Sequence, residues 1–105
     1  MYYILTTPEL KENKFAPYVY KFDAGLTYGL ADQLKITIGE EEGNYYGQVV
    51  NKLPHGMGRY VNRIGQIWEG QFKEGKFNGF MRQIFESGSH RLGQIENDEW
   101  VLEKN

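Results

Sequence analysis

Apolar and polar side chains alternate along several short stretches of the chain, as in β-strands that bury one face. In residues 68–72 (Trp-Glu-Gly-Gln-Phe) the two aromatic side chains and Gly70 share one face, and the charged and amide side chains share the other. Residues 34–38 (Leu-Lys-Ile-Thr-Ile) alternate in the same way. A glycine in the middle of a strand weakens a sheet unless a neighbouring aromatic ring covers its backbone. We therefore predict strands throughout residues 45–95, with an aromatic ring over Gly70 and no helix longer than about two turns.

The strand pattern repeats at a fixed interval, the separation between Tyr45 and Trp68. When residues 45–72 are aligned with residues 68–95, seven of the 28 positions are identical, whereas roughly two would match by chance at ordinary residue frequencies. The identities are Gly47/Gly70, Gln48/Gln71, Gly56/Gly79, Arg59/Arg82, Gly65/Gly88, Gly70/Gly93 and Gln71/Gln94. A unit of this length accommodates two strands of about six residues and two turns. The repeat therefore predicts one β-hairpin per unit.

Recurring glycines indicate where the turns lie, because glycine reaches positive φ angles without a steric penalty. Gly65 and Gly88 stand where one hairpin passes to the next. Gly56 and Gly79 are expected to close the loop inside each hairpin, which predicts loops at residues 54–56 and 78–79.

The repeat divides the chain into four segments. Residues 1–17 are predicted to form an N-terminal cap with a short helix, which Thr7 caps and Pro8 begins. Residues 18–44 are a degenerate first repeat with strands at 18–23 and 34–38, residues 45–95 carry the clear repeats, and residues 96–105 are an acidic capping segment in which 100–102 close the sheet. The predicted fold is mainly β, a single-layer, twisted antiparallel meander of hairpins with a short N-terminal helical turn.

Composition agrees with one small β-rich domain. Of the 105 residues, 13 are glycine and 15% are aromatic, a pairing that favours turns and sheets. The net charge is −2, which gives no reason to expect nucleic acid as a partner. Residues 1–8 have no basic flank and only a short apolar run, so we expect neither a signal peptide nor a membrane anchor. The expected location is the cytoplasm or the interior of an organelle.

Catalytic and metal-binding motifs are not recognisable. The absence of cysteine removes disulfides, thiolate ligands and cysteine nucleophiles. His55 stands in a predicted loop, where we assign it a structural role, and His90 lies next to Ser89 without the third group that a catalytic triad needs. The Gly-x-Gly of residues 56–58 lacks the third glycine and following helix of a dinucleotide site. We predict no catalytic residue, metal or cofactor.

Residues 68–79 (Trp-Glu-Gly-Gln-Phe-Lys-Glu-Gly-Lys-Phe-Asn-Gly) resemble the MORN repeat, the membrane occupation and recognition nexus motif. The preceding unit departs from the motif at Val49 and Lys52, the later unit has Met81 in place of a glycine, and residues 91–95 lack both aromatics. The resemblance implies an elongated twisted sheet whose grooved face binds another protein, often a helix, and sometimes acidic lipid. It also implies a cytoplasmic, cytoskeletal or ciliary setting.

Aromatic and apolar side chains on one face of the predicted sheet are the candidate partner-binding residues. They are Tyr45, Val49, Tyr60, Trp68 and Phe72. These residues are equally suited to form the core of the sheet. A single sheet has no second layer to bury its apolar face, however, and such a surface favours a partner. We therefore expect a protein scaffold or assembly subunit that binds a segment of another protein within a larger assembly.

A second candidate surface is basic. Residues 52–91 contain seven Lys or Arg against three Glu, a local charge of +4. Arg59 and Arg82 occupy equivalent repeat positions, which predicts a stripe on one face with a spacing of roughly 10 Å. With Lys52 and Lys76 this stripe suits acidic lipid or acidic side chains. The alternative for these basic residues is a solvated face with cross-strand pairs to Glu69 and Glu86. For the protein as a whole, a further alternative is a regulatory subunit of a separate enzyme.

Overall fold

A computed structural model describes the backbone of residues 25–104 and the side chains of residues 25–101. Seven strands form one antiparallel sheet in chain order. They are β1 (Gly29–Ile38), β2 (Glu41–Val50), β3 (Leu53–Asn62), β4 (Ile67–Lys73), β5 (Lys76–Ile84), β6 (His90–Glu96) and β7 (Glu99–Lys104). Residues 25–104 contain no helix, so none that could cross a membrane. The mainly β, single-sheet meander is confirmed, and the predicted helical turn and the strand at 18–23 lie outside the described residues.

The tight turns that join β2 to β3, β4 to β5 and β6 to β7 are type I′. Their central residues, 51–52, 74–75 and 97–98, all have positive φ, from 48° at Asn97 to 82° at Gly75. Two-residue turns of this kind match the right-handed twist of the strands that they join. The prediction of loops at residues 54–56 and 78–79 is therefore wrong, since these residues lie within β3 and β5.

Gly56 and Gly79 form bulges in β3 and β5. Their φ angles are 106° and 115°, and the strand register shifts beside each of them. A repeated glutamine stabilises each bulge: Gln48 Oε1 accepts the Met57 N–H at 2.9 Å, and Gln71 Oε1 accepts the Phe80 N–H at 2.7 Å. The glycines have the positive φ that the repeat indicated, but they bend a strand rather than reverse it.

The connections between hairpins also recur from one repeat to the next. Asn62 N donates to Gln66 O at 3.0 Å, and Phe85 N donates to Ser89 O at 2.9 Å. Gly65 and Gly88, with φ of 90° and 92°, occupy the same place in the two turns. The prediction of a turn at each of these glycines is confirmed. At the ends of the sheet, β1 contains the predicted strand 34–38 and β7 contains residues 100–102.

The core lies on one face of the sheet. Its buried members are Ile38, Tyr45, Tyr60, Phe72, Phe77, Met81 and Ile95. The Tyr60 ring lies over Gly43, whose Cβ would stand 2.8 Å from Tyr60 Cζ. Its hydroxyl shares its single proton between Ile36 O, at 2.9 Å, and Glu41 O, and accepts the Ile38 N–H at 3.3 Å. Tyr60 thereby fixes the end of the β1–β2 hairpin to the apolar face.

Candidate partner-binding surface

The structure separates the five predicted partner-binding residues into two groups. Tyr45, Tyr60 and Phe72 are at most 1% exposed. Val49 and Trp68 are half-buried at the margin of the core. The core interpretation therefore fits the first three, and only Val49 and Trp68 reach the surface.

Tyr45 is held by its own strand and by the next repeat. Its hydroxyl donates to Gln48 O at 2.6 Å, and its ring meets Phe72 edge-on at 4.9 Å between centroids. The ring lies over Gly58, where a Cβ would collide with it. Aromatic cover of a strand glycine thus occurs at Gly58. At Gly70, where we expected it, a Cβ would collide with the backbone of Phe80 instead.

Trp68 belongs to a stack of aromatic rings that crosses β4, β5 and β7. It lies parallel to the buried Phe77, with 4.1 Å between centroids and 19° between planes. Trp100 stacks beside it at 6.2 Å and 29° and is also half-buried. Sequence reasoning assigned Trp100 to the closing strand but not to the site. The available signal was its position one repeat interval after Phe77.

Arg91 completes this surface, which we call the tryptophan patch (Trp68, Trp100 and Arg91). The guanidinium carbon of Arg91 lies 4.2 Å from the centroid of the Trp100 ring, in cation–π geometry. β6 brings Arg91 into register with Gln83, which itself pairs with Trp68. The patch therefore combines two large aromatic surfaces with one positive charge.

A network of amide side chains borders the patch. Gln66 Oε1 accepts from Asn62 Nδ2 at 3.2 Å and from Gln83 Nε2 at 3.3 Å. The Gln66 N–H donates to Asn62 Oδ1 at 2.9 Å. Asn62 and Gln83 are buried, so these bonds hold the β3–β4 turn firmly beside Trp68. The surroundings of the patch are therefore ordered before any partner binds.

The predicted basic stripe contains an acidic residue at its centre. Arg59 pairs with Glu69 across β3 and β4, and Glu69 pairs with Arg82 across β4 and β5. Arg59 Nε lies 3.9 Å from Glu69 Oε1, and Glu69 is only 4% exposed. This arrangement agrees with the alternative of cross-strand pairing at Glu69. The Arg63 side chain, part of the same local charge, pairs with Glu41 at 3.2 Å.

Lys52 and Lys76 lie away from the arginines, at the end of the sheet that holds the type I′ turns. Both are exposed. Arg59 stands six residues beyond the start of β3, about 20 Å along the strand. The structure therefore brings Arg59 and Arg82 together but does not join them to the two lysines in one stripe.

Tyr60 is an ionisable side chain of the aromatic face whose titration is affected by burial. Burial raises the pKa of the Tyr60 phenol above its ordinary value of 10.0. The Ile38 N–H lowers this pKa in part, and the carboxylates of Glu41 and Glu42 raise it further.

No group of three or more His, Asp or Glu side chains with metal-binding geometry occurs in the part of the chain that the structure describes.

Comparisons of the chain with protein-family models, with curated proteins and with solved structures find no match. The resemblance to MORN repeats stays a prediction from the residues that carry it.

Proposed function

We propose that this protein is a non-catalytic scaffold or assembly subunit of the MORN-repeat type that binds a segment of another protein on the tryptophan patch. One observation carries the proposal. Trp68 and Trp100 stack on each other yet remain half-buried, while Tyr45, Tyr60 and Phe72 on the same face are buried. Among the described aromatic residues of the core and its margin, the two tryptophans stay partly accessible.

The chemistry of the patch suits a protein partner. Tryptophan and arginine are enriched among the residues that contribute most to protein–protein affinity. Stacking on Phe77 and the cation–π contact with Arg91 already restrict both tryptophan rings. Binding therefore costs little side-chain entropy. The expected ligand is an apolar segment, helical by the MORN resemblance.

Two alternatives have different partners. Exposed Lys52 and Lys76 support acidic phospholipid as a second candidate, although Glu69 offsets the charge of Arg59 and Arg82. A regulatory subunit of a separate enzyme would use the tryptophan patch and differ only in the identity of its partner. The resemblance suggests a cytoplasmic assembly, cytoskeletal or ciliary.

Site-specific photo-crosslinking tests the proposal. A benzophenone amino acid is introduced at Trp100 and, as a matched control, at Tyr46, a half-buried aromatic on the opposite face. After irradiation in an extract of the source cells, we expect a defined protein to crosslink at position 100 and not at position 46. The same crosslink should disappear when Trp68→Ala is added. Equal crosslinking at both positions, or none at position 100, would contradict the proposal.

A further inference from the structure

Three hairpin tips lie side by side at one end of the sheet and share the same turn geometry. They are the type I′ turns that join β2 to β3, β4 to β5 and β6 to β7. In each tip the two residues that flank the turn stand directly opposite each other on the paired strands. These pairs are Val50/Leu53, Lys73/Lys76 and Glu96/Glu99. Equivalent positions are therefore apolar in the first tip, basic in the second and acidic in the third.

The hairpin geometry does not require the two charged pairs. The same turn carries the apolar pair Val50/Leu53 in the first hairpin. Like charges that stand directly opposite each other in a hairpin are destabilising. We call the exposed pair Lys73/Lys76 the basic tip and the exposed pair Glu96/Glu99 the acidic tip. Both pairs cost stability in the isolated chain, which points to an opposite charge that comes from another molecule.

A cleft of about 360 Å³ separates the two charged tips. On one side it is lined by Lys73 and Lys76, with Glu74 between them, and on the other side by Glu96. The tips lie two strand spacings apart, roughly 10 Å. No ion pair joins them across the cleft among the described residues. This end of the sheet therefore presents two neighbouring surfaces of opposite sign.

We infer that this end of the sheet binds the same end of a second copy of the chain. A two-fold axis normal to the sheet, passing between the two charged tips, sets the basic tip of each copy against the acidic tip of the other. The surface is then complementary to itself, as a two-fold contact requires. A membrane or partner of a single sign would attract one tip and repel the other. The contact is small and charged, so the dimer is weak and sensitive to salt.

The symmetry has a consequence for partner binding. Rotation about an axis normal to the sheet leaves the aromatic faces of both copies on the same side. The dimer therefore presents two tryptophan patches to one extended partner, which raises the overall affinity without any new contact. This consequence rests on the proposed function. The dimer itself does not, because neither charged tip belongs to the patch.

Sedimentation equilibrium of the purified protein, without any partner, tests the inference. We expect the mass of wild type to rise toward twice that of one chain in about 50 mM salt and to fall back in about 500 mM salt. Lys73→Glu/Lys76→Glu and Glu96→Lys/Glu99→Lys should each weaken the dimer at least tenfold. Wild type that stays monomeric at low salt, or reversed variants that dimerise like wild type, would overturn the inference.

Mixing the two reversed variants provides the sharpest comparison. The Glu96→Lys/Glu99→Lys protein, followed through a fluorescent label, should form a dimer with Lys73→Glu/Lys76→Glu, because every contact then joins opposite charges. A label that stays in the monomer in this mixture would contradict the two-fold arrangement.

The matched control is Lys35→Glu/Arg63→Glu, which changes the net charge equally at exposed residues toward the other end of the sheet. It should dimerise within about twofold of wild type and should not recruit the labelled protein. Recruitment by this control would show that net charge, and not the tips, is responsible. All variants must match wild type in circular dichroism. Should Lys73→Glu/Lys76→Glu fail to fold, Lys73→Gln/Lys76→Gln replaces it and should also weaken the dimer.

Discussion

Gly39 lies against the ring of Phe77: a Cβ atom on Gly39 would stand 3.5 Å from Phe77 Cε2. Gly39 forms the tip of the β1–β2 hairpin, and Phe77 stands near the start of β5. The two residues meet only because the sheet curls over its own apolar face. Phe77 also stacks on Trp68 at 4.1 Å. The hairpin tip therefore contributes to the covered part of the aromatic face, and the tryptophan patch lies beyond it.

The close approach of β4 and β5 at Gly70 predicts a large cost for any side chain there. A Cβ on Gly70 would collide with the carbonyl oxygen of Phe80, and the φ angle of 154° is unfavourable for other residues. Gly70→Ala should therefore destabilise the fold by about 3 kcal/mol, from steric overlap and backbone strain together. Urea denaturation monitored by circular dichroism measures the change.

Gly88→Ala is the matched control, because Gly88 has a φ of 92° but nothing within 4 Å of a built Cβ. It should cost about 1 kcal/mol, the strain of a left-handed conformation alone. Equal losses for the two variants would show that β4 and β5 do not approach closely at Gly70.

The raised pKa of the Tyr60 phenol predicts that the fold loses stability at high pH. Burial, together with Glu41 and Glu42, raises the pKa of its phenol in the fold, so the unfolded chain releases this proton first. The resulting stabilisation is complete below about pH 10, the ordinary tyrosine value. It is lost as pH rises through the higher pKa of the folded state. Thermal melts between pH 8 and pH 11 should show wild type losing stability more steeply than Tyr60→Phe.

At neutral pH we expect Tyr60→Phe to be less stable than wild type, since it loses the hydroxyl bonds to Ile36 and Glu41. We expect a cost of about 1–3 kcal/mol. Parallel pH profiles for the two proteins would mean that Tyr60 is not the responsible group.

Local features of the fold follow directly from the sequence. The regular repeat predicts the meander, and the alternation in residues 68–72 correctly separates the side chains of the two faces. Gly65 and Gly88 mark the connections between hairpins because the connecting turn requires positive φ at one residue. Each of these signals lies within a few residues of the structure that it predicts.

Other features of the fold do not follow from short sequence patterns, because one pattern fits two local structures or because the feature depends on contacts between distant strands. Gly56 and Gly79 have positive φ, but a bulge and a loop both require it, and the sequence does not distinguish them. The type I′ turn at Asn51 and Lys52 contains no glycine at all. Burial of Tyr45 and Tyr60 depends on contacts between distant strands, which no short pattern encodes. Trp100 and Arg91 could not be assigned to the site for the same reason, since Trp100 on β7 reaches Trp68 on β4 across two intervening strands.

Acidic lipid binding is tested with vesicles that contain phosphatidylserine. If the basic residues bind lipid, Arg59→Ala/Arg82→Ala or Lys52→Ala/Lys76→Ala should abolish sedimentation with the vesicles. Raised salt should weaken wild-type binding, because it screens the attraction. We expect little sedimentation of wild type at physiological salt, since Glu69 and Glu41 offset part of the local charge. Tight, salt-sensitive sedimentation would instead favour the lipid function.

The claim that the tryptophan patch binds the partner protein is tested most directly by comparing the partner affinities of the Trp68→Ala and Tyr46→Ala variants. Both variants must first match wild type in circular dichroism and solubility, because Trp68 also supports the aromatic stack. For the protein that crosslinks at position 100, Trp68→Ala should weaken binding by about 2 kcal/mol, roughly thirtyfold, as expected for a partly exposed aromatic anchor. Tyr46→Ala, on the opposite face, should stay within about twofold of wild type. Full affinity in folded Trp68→Ala would show that the tryptophan patch is not the docking site.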